Sequence, residues 1–325
     1  MRKNRRKKEG TVFRVVSMAV PAALITAGVM YAACIYMGYA KGRHEYRNIE
    51  DQYTTGLPGH GNVLDDTGSD MPDIHTADQG DGSEERDGYS EDTTKTQQEG
   101  NGLEMGYKHF WGPLIAKLPP DAPERKQIDW TSLLERNQDV IGWISIPAVG
   151  ISYPVMQAED NDYYLHRDID RNYLFAGSVF MDADSSPSLL RYNTIIYGHN
   201  MRDGSMFAGL KGFQDKETWN TCRYFWIQTQ EADCLYEIFS IHTAAAGSDT
   251  FTIQFADYEA FELWRNRMIS MSDPATGIGL KDDDRIVTLS TCTESSQVRM
   301  TVQGKLIWKR SLEESKAGNS EIPAQ

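Results

Sequence analysis

The chain has 325 residues, 40% hydrophobic and 25% charged, with a formal net charge of −14 from 33 Lys+Arg against 47 Asp+Glu. This composition supports a buried core in one or two domains and excludes a basic nucleic-acid binder. The four Cys are too few for a disulfide-stapled scaffold.

Charge divides the chain into three segments. Residues 1–44 hold nine Lys+Arg and one acid, residues 45–105 hold sixteen acids and three bases, and the remaining 220 residues carry −9. The first segment reads as a basic cytoplasmic tail (1–14) and a transmembrane anchor (15–40). Val15 to Ala40 is a run of 26 residues without a charge, longer than the roughly 20 a spanning helix needs. The basic flank stays cytoplasmic and puts the C-terminal bulk outside the cell. The alternative is a cleaved signal peptide, whose apolar region is about 7–15 residues. Residues 41–106 have almost no Val, Ile, Leu or Phe and read as an acidic, disordered linker. It is either a spacer that lifts a head domain off the membrane or a segment without a selected length.

The folded domain is expected over 107–310, followed by a polar tail (311–325). Asp129 is placed to cap a helix with Trp130, Leu133 and Leu134 on one face. The period then changes to two. Trp143–Pro147 and Ile151–Val155 flank a turn at Val149-Gly150 and read as a hairpin. Further strands are expected at Ser178–Met181, Asn193–His199, Arg223–Gln228, Leu235–His242, Arg285–Cys292 and Arg299–Lys309. A second helix, capped by Asp257, carries Phe261, Trp264 and Met268 on one stripe as far as Ser270. Many short strands and few helices indicate a mainly β protein, a closed barrel or a sandwich. In the hairpin expected around 229–233, Gln228 faces Cys234 and Cys222 faces about Ser240. The two Cys are then too far apart to bridge, and both are expected to be reduced.

Cys292 ends one strand and Arg299 opens the next, with six residues between them. In antiparallel register the two face each other. Val287, Leu289, Met300 and Val302 then form an apolar face, and Ser290, Cys292, Arg299 and Thr301 a polar one facing a groove. A guanidinium beside a thiol favours the thiolate and can hold an oxyanion. A cysteine nucleophile also needs a proton donor, and His199, at the end of Ile195-Ile196-Tyr197, is the best placed of the seven His. A lone Cys, His or Arg at a strand end also has ordinary structural uses, so spacing alone leaves the trio a candidate. The run Asp282-Asp283-Asp284 fits a solvated turn better than a cation site.

At these residues a resemblance enters. Thr288-Leu289-Ser290-Thr291-Cys292 with Arg299 resembles the TLxTC signature of sortases with its downstream Arg. Asn193-Thr194-Ile195-Ile196-Tyr197-Gly198-His199-Asn200-Met201 is similar to the His segment of class B sortases, as is Asn161-Asp162-Tyr163-Tyr164-Leu165. The helix opening at Asp129, Val140-Ile141-Gly142-Trp143 after it and the 257–270 helix agree with that class, and the likeness spans about Ile128 to Trp308. The resemblance implies an eight-stranded sortase-type β-barrel with an N-terminal helix and a long helix between late strands. It also implies a membrane-bound cysteine transpeptidase of Gram-positive cells, in the cysteine endopeptidase class, with no cofactor or metal. Cys292, His199 and Arg299 would be catalytic. Tyr197, Ser290, Thr291, Asn161 and Leu165 would bind substrate. The implied partners are surface proteins with an Asn-Pro-x-Thr-x-like sorting signal and an amine acceptor, either lipid-linked peptidoglycan precursor or a pilin Lys. The alternatives are pilin polymerisation and a secreted cysteine hydrolase without transfer. The six-residue Cys292–Arg299 connection is short for the family.

Overall fold

The computed structural model describes residues 2–55, 117–293 and 297–312. The chain opens with helix α1 (Arg2–Tyr53), followed by strand β1 (Thr54–Thr55), strand β2 (Gln127–Ile128) and helix α2 (Trp130–Arg136). Then come β3 (Val140–Ile146), β4 (Ile151–Met156), β5 (Val179–Met181), β6 (Asn193–Tyr197), α3 (Lys216–Thr221), β7 (Tyr224–Gln228), β8 (Ala232–Ala245), α4 (Tyr258–Ser270), β9 (Ile286–Cys292) and β10 (Val298–Ser311). Eight of the strands close a barrel in the order β10-β8-β7-β3-β4-β5-β6-β9. The mainly β, eight-stranded expectation is met.

Local chemistry sets the boundaries. The Asp129 carboxylate accepts from Ser132 N at 3.1 Å and Asp257 from Ala260 N at 2.8 Å, so both helices begin where an Asx cap can take an orphan N–H. Gly150 adopts φ +64° at the β3–β4 turn, a conformation that costs a residue with a Cβ. Val287, Leu289, Met300 and Val302 all lie in the main core with Trp143, Val155 and Tyr236. Phe261, Trp264 and Met268 of α4 bury a second cluster against Phe239 and Ile286.

Four expectations change. Residues 41–53 belong to α1, not to a linker. Tyr46, Ile49 and Tyr53, spaced three and four apart, form a helical stripe buried in the barrel's core. Arg136 ties α2 to Glu45 at 3.0 Å, Lys126 pairs with Glu50 at 2.7 Å, and Arg43 pairs with Asp203. β1 pairs with β2, Thr54 opposite Ile128. The two flanks of the acidic segment therefore meet, and the segment adds no reach between α1 and the barrel. Its residues 56–106 lie outside the described residues, as do 313–325 of the expected tail.

The 15–40 run is helical within α1, but among the described residues no helix is long and apolar enough to cross a membrane. Of that run, the side chains of 15–23 fall outside the description. In the β7–β8 hairpin Gln228 pairs with Asp233 and Ile227 with Cys234, one residue off the expected register, because Thr229 N reaches Ala232 O at 2.8 Å in a tight turn. Cys222 caps α3 instead of entering the strand, and both Cys are free as expected. Thr301, expected on the groove face, is fully buried and donates to the His242 carbonyl at 2.9 Å.

His242 is a buried imidazole that titrates. Ser240 Oγ donates to Met268 O at 2.7 Å and so accepts from His242 Nδ1 at 3.0 Å. Burial, opposed by the charge of Asp249, pushes its pKa down to about 4. The unfolded chain takes up this proton near pH 6.5 and the folded chain does not. The resulting stability is present above that pH and is lost as pH falls toward 4, by up to roughly 3 kcal/mol. Urea denaturation between pH 7 and 4.5 should show this slope, and His242→Gln should flatten it.

Candidate active site

Strand polarity gathers the expected residues at one rim of the barrel. β6 runs parallel to β9, with Tyr197 opposite Ser290, so both strands end there. β10 is antiparallel to β9 and starts there, with Arg299 opposite Cys292 as the alternation requires. β8 ends at the same rim, with Ala245 opposite Val298. A groove of about 340 Å³ opens at this rim, lined by Asn161, Leu165, Tyr197, His199, Ser290, Thr291 and Arg299 among others. Cys292 is placed by its backbone, next to Thr291 and across the ladder from Arg299. Every expected site residue therefore reaches the groove or the ladder position beside it.

His199 follows β6 in a loop whose course is set by Gly198. A Cβ there would meet the Phe207 ring at 2.6 Å, and Phe207 N donates to the His199 carbonyl at 2.9 Å. The ring Nε2 lies 2.7 Å from Leu165 O. A carbonyl only accepts, so Nε2 carries the hydrogen and Nδ1 is left with the lone pair. Burial lowers the pKa of His199; the Leu165 bond opposes this, and the charges of His166 and Arg299 add to it. The ring is thus neutral at neutral pH. The Leu165 carbonyl is itself held in place. A Cβ on Gly177 (φ +55°) would meet it at 2.2 Å, and the Gly177 carbonyl accepts from Tyr46 of α1 at 2.6 Å.

Sequence reasoning missed three contributors. His166 stacks on His199 with ring centroids 5.3 Å apart. Ala246, Gly247 and Phe251, after β8, close one side of the groove; the turn at Gly247 was a legible signal. Asp182, 6% exposed, organises the opposite wall. One of its oxygens accepts from both Tyr197 Oη and Asn161 Nδ2 at 2.9 Å, and the other from Asp184 N. Burial and this carboxylate raise the pKa of Tyr197, which stays a neutral donor. The Ser290 and Thr291 hydroxyls are buried with no hydrogen-bond partner among the described residues, beside a groove where a ligand's polar atoms could satisfy them.

Residues 144–307 match the Sortase domain family, and the chain belongs to the sortase family, whose members are cysteine transpeptidases. Its relatives place it in class B. It is 36% identical to sortase B of Listeria monocytogenes over 180 residues, covering 54% of this chain and 73% of that protein. Among solved structures it resembles Clostridium perfringens sortase B (32% identity, TM-score 0.52, 54% of this chain and 98% of that one). It also resembles Staphylococcus aureus sortase B in a substrate complex (27% identity, TM-score 0.52, 55% of this chain and 83% of that one).

The Asp182 contacts make a stability prediction. Asp182→Ala strands the Tyr197 hydroxyl and the Asn161 amide and should cost about 1–3 kcal/mol in urea denaturation. Tyr197→Phe should cost measurably less in the Asp182→Ala background than in the wild type. Equal costs in both backgrounds would show the two side chains to be uncoupled.

Proposed function

We propose that this chain is anchored in the membrane and cuts a C-terminal sorting signal on surface proteins, passing the new C-terminus to an amine. The reading is supported above all by Cys292 opposing Arg299 in the ladder beside a groove that also takes the neutral His199 ring. The thiol proton of Cys292 passes to His199, and Sγ attacks the carbonyl carbon after which the signal is cut, a Thr by family likeness. The C–N bond breaks, the leaving amine takes the proton from His199, and a thioester remains. An incoming amine then attacks the thioester and gives a proton to His199, and Sγ departs as thiolate and is reprotonated. Arg299 stabilises the oxyanion in both halves. Tyr197, Asn161 and Leu165 wall the signal's binding site, and Ser290 and Thr291 offer it hydroxyls. The signal is of the Asn-Pro-x-Thr-x kind, and the acceptor is lipid-linked peptidoglycan precursor. The S. aureus relative was solved as a substrate complex, which supports a sorting-signal-bearing partner for this chain.

Anchoring is supported by α1, where Leu24, Ile25, Val29, Met30, Tyr31 and Tyr36 are each at least 63% exposed. Such a surface calls for a lipid or protein partner. The basic tail before it stays cytoplasmic, and the barrel lies on the outer face of the cell membrane.

The test is a sorting-signal peptide assay with triglycine. Wild type should yield the ligated product, whereas a hydrolase would yield only free acid. Cys292→Ala and His199→Ala should abolish cleavage, and Arg299→Ala should lower it by about 10²–10³-fold. Undiminished turnover by the Cys292 variant would refute the proposal.

A further inference from the structure

Helix α1 leaves the barrel at a defined place. Tyr39 makes an edge-on contact with Phe175, ring centroids 5.6 Å apart, and N-terminal to it the helix presents its exposed apolar residues. Phe175 belongs to a tight loop, closed by the Arg167–Tyr173 bridge and the Leu174 N to His166 O bond. That loop exposes two rings, Tyr173 at 69% and Phe175 at 44%. Among the described residues outside α1, the other exposed large apolar side chains are Leu118, Tyr258 and Leu263. The loop rings are therefore a pair on one tip, and one of them touches α1 where its apolar stretch ends. The same loop grows out of Leu165, so the tip is the outward continuation of a groove wall.

We infer that the Tyr173–Phe175 tip and the α1 exit at Met37–Tyr39 form one bilayer-contact surface, which seats the domain on the lipid headgroup region with the Asn161–Leu165 groove wall at the membrane. The occupant is lipid because the patch continues an apolar helix surface and consists of aromatic rings, which partition to the interface between hydrocarbon and water. Lys41, one turn beyond Met37, adds an exposed cation on the headgroup side. Two attachments, a helix and a tip, restrict the domain's tilt in a way one flexible tether would not. The inference rests on the anchored-transpeptidase reading above.

The experiment uses the full chain reconstituted in phosphatidylcholine–phosphatidylglycerol vesicles and compares wild type with Tyr173→Glu/Phe175→Glu. Both should float with the vesicles and should turn over a soluble signal peptide in detergent at equal rates. The double variant should turn over the same peptide tethered to a lipid about tenfold more slowly. In a separate Phe175→Trp variant, the emission added over wild type should be quenched by brominated lipid. Unchanged tethered turnover, or added emission that brominated lipid leaves unquenched, would overturn the inference while leaving the transpeptidase reading intact. An equal loss on the soluble peptide would also overturn it, by showing the tip to be structural. Wild type that fails to float would remove the anchor and this inference together. Wild type that floats but cleaves neither peptide would refute the transpeptidase reading, and quenching would still test the docking.

Discussion

Antiparallel pairing of β9 with β10 is the constraint on which the rest of the rim depends. It sets Cys292 opposite Arg299 and at the same time carries Val287, Leu289, Met300 and Val302 into the core. A slip of one residue would turn all of these side chains to the wrong face. The apolar core therefore enforces the register that positions the polar pair, and stability and chemistry are secured by one set of hydrogen bonds. Parallel pairing of β6 with β9 extends this to the third member, because it brings the end of β6, and so His199, to the same rim.

The imidazole depends on a second line of contacts, made by backbone groups. His199 donates to Leu165 O, Gly177 permits the close approach behind that carbonyl, and Tyr46 holds Gly177 from α1. The first and last links place an N–H or O–H on a carbonyl and the middle one is close packing, so the ring's tautomer follows from fixed geometry. Because α1 supplies the last link, the N-terminal helix forms part of the catalytic domain's frame. The flanks of the acidic segment pair with each other as β1 and β2.

Most of the barrel was legible because its signals are local. Period-two alternation, the Asp129 and Asp257 caps and the turn glycine depend on a few neighbouring residues, and the eight barrel strands, α2 and α4 fall within a few residues of expectation, whereas β1, β2 and α3 were not expected. The 41–53 helix was obscured because its stripe is only Tyr46, Ile49 and Tyr53 among charged neighbours, so composition averaged over the acidic segment outweighed periodicity. The β7–β8 register was misjudged by one residue because a turn's hydrogen bonding, not its length alone, decides which residues pair.

The sequence by itself determined the alternation that commits Cys292 and Arg299 to opposite sides of one ladder, and the order of motifs that the Sortase domain match bears out. Only the tertiary structure decided what surrounds them. Asp182 beneath Tyr197 and Asn161, Leu165 O on His199, and Tyr46 behind Gly177 join residues between 15 and 131 positions apart in the chain. No local pattern encodes such contacts, because they arise when barrel closure brings distant segments within hydrogen-bonding range.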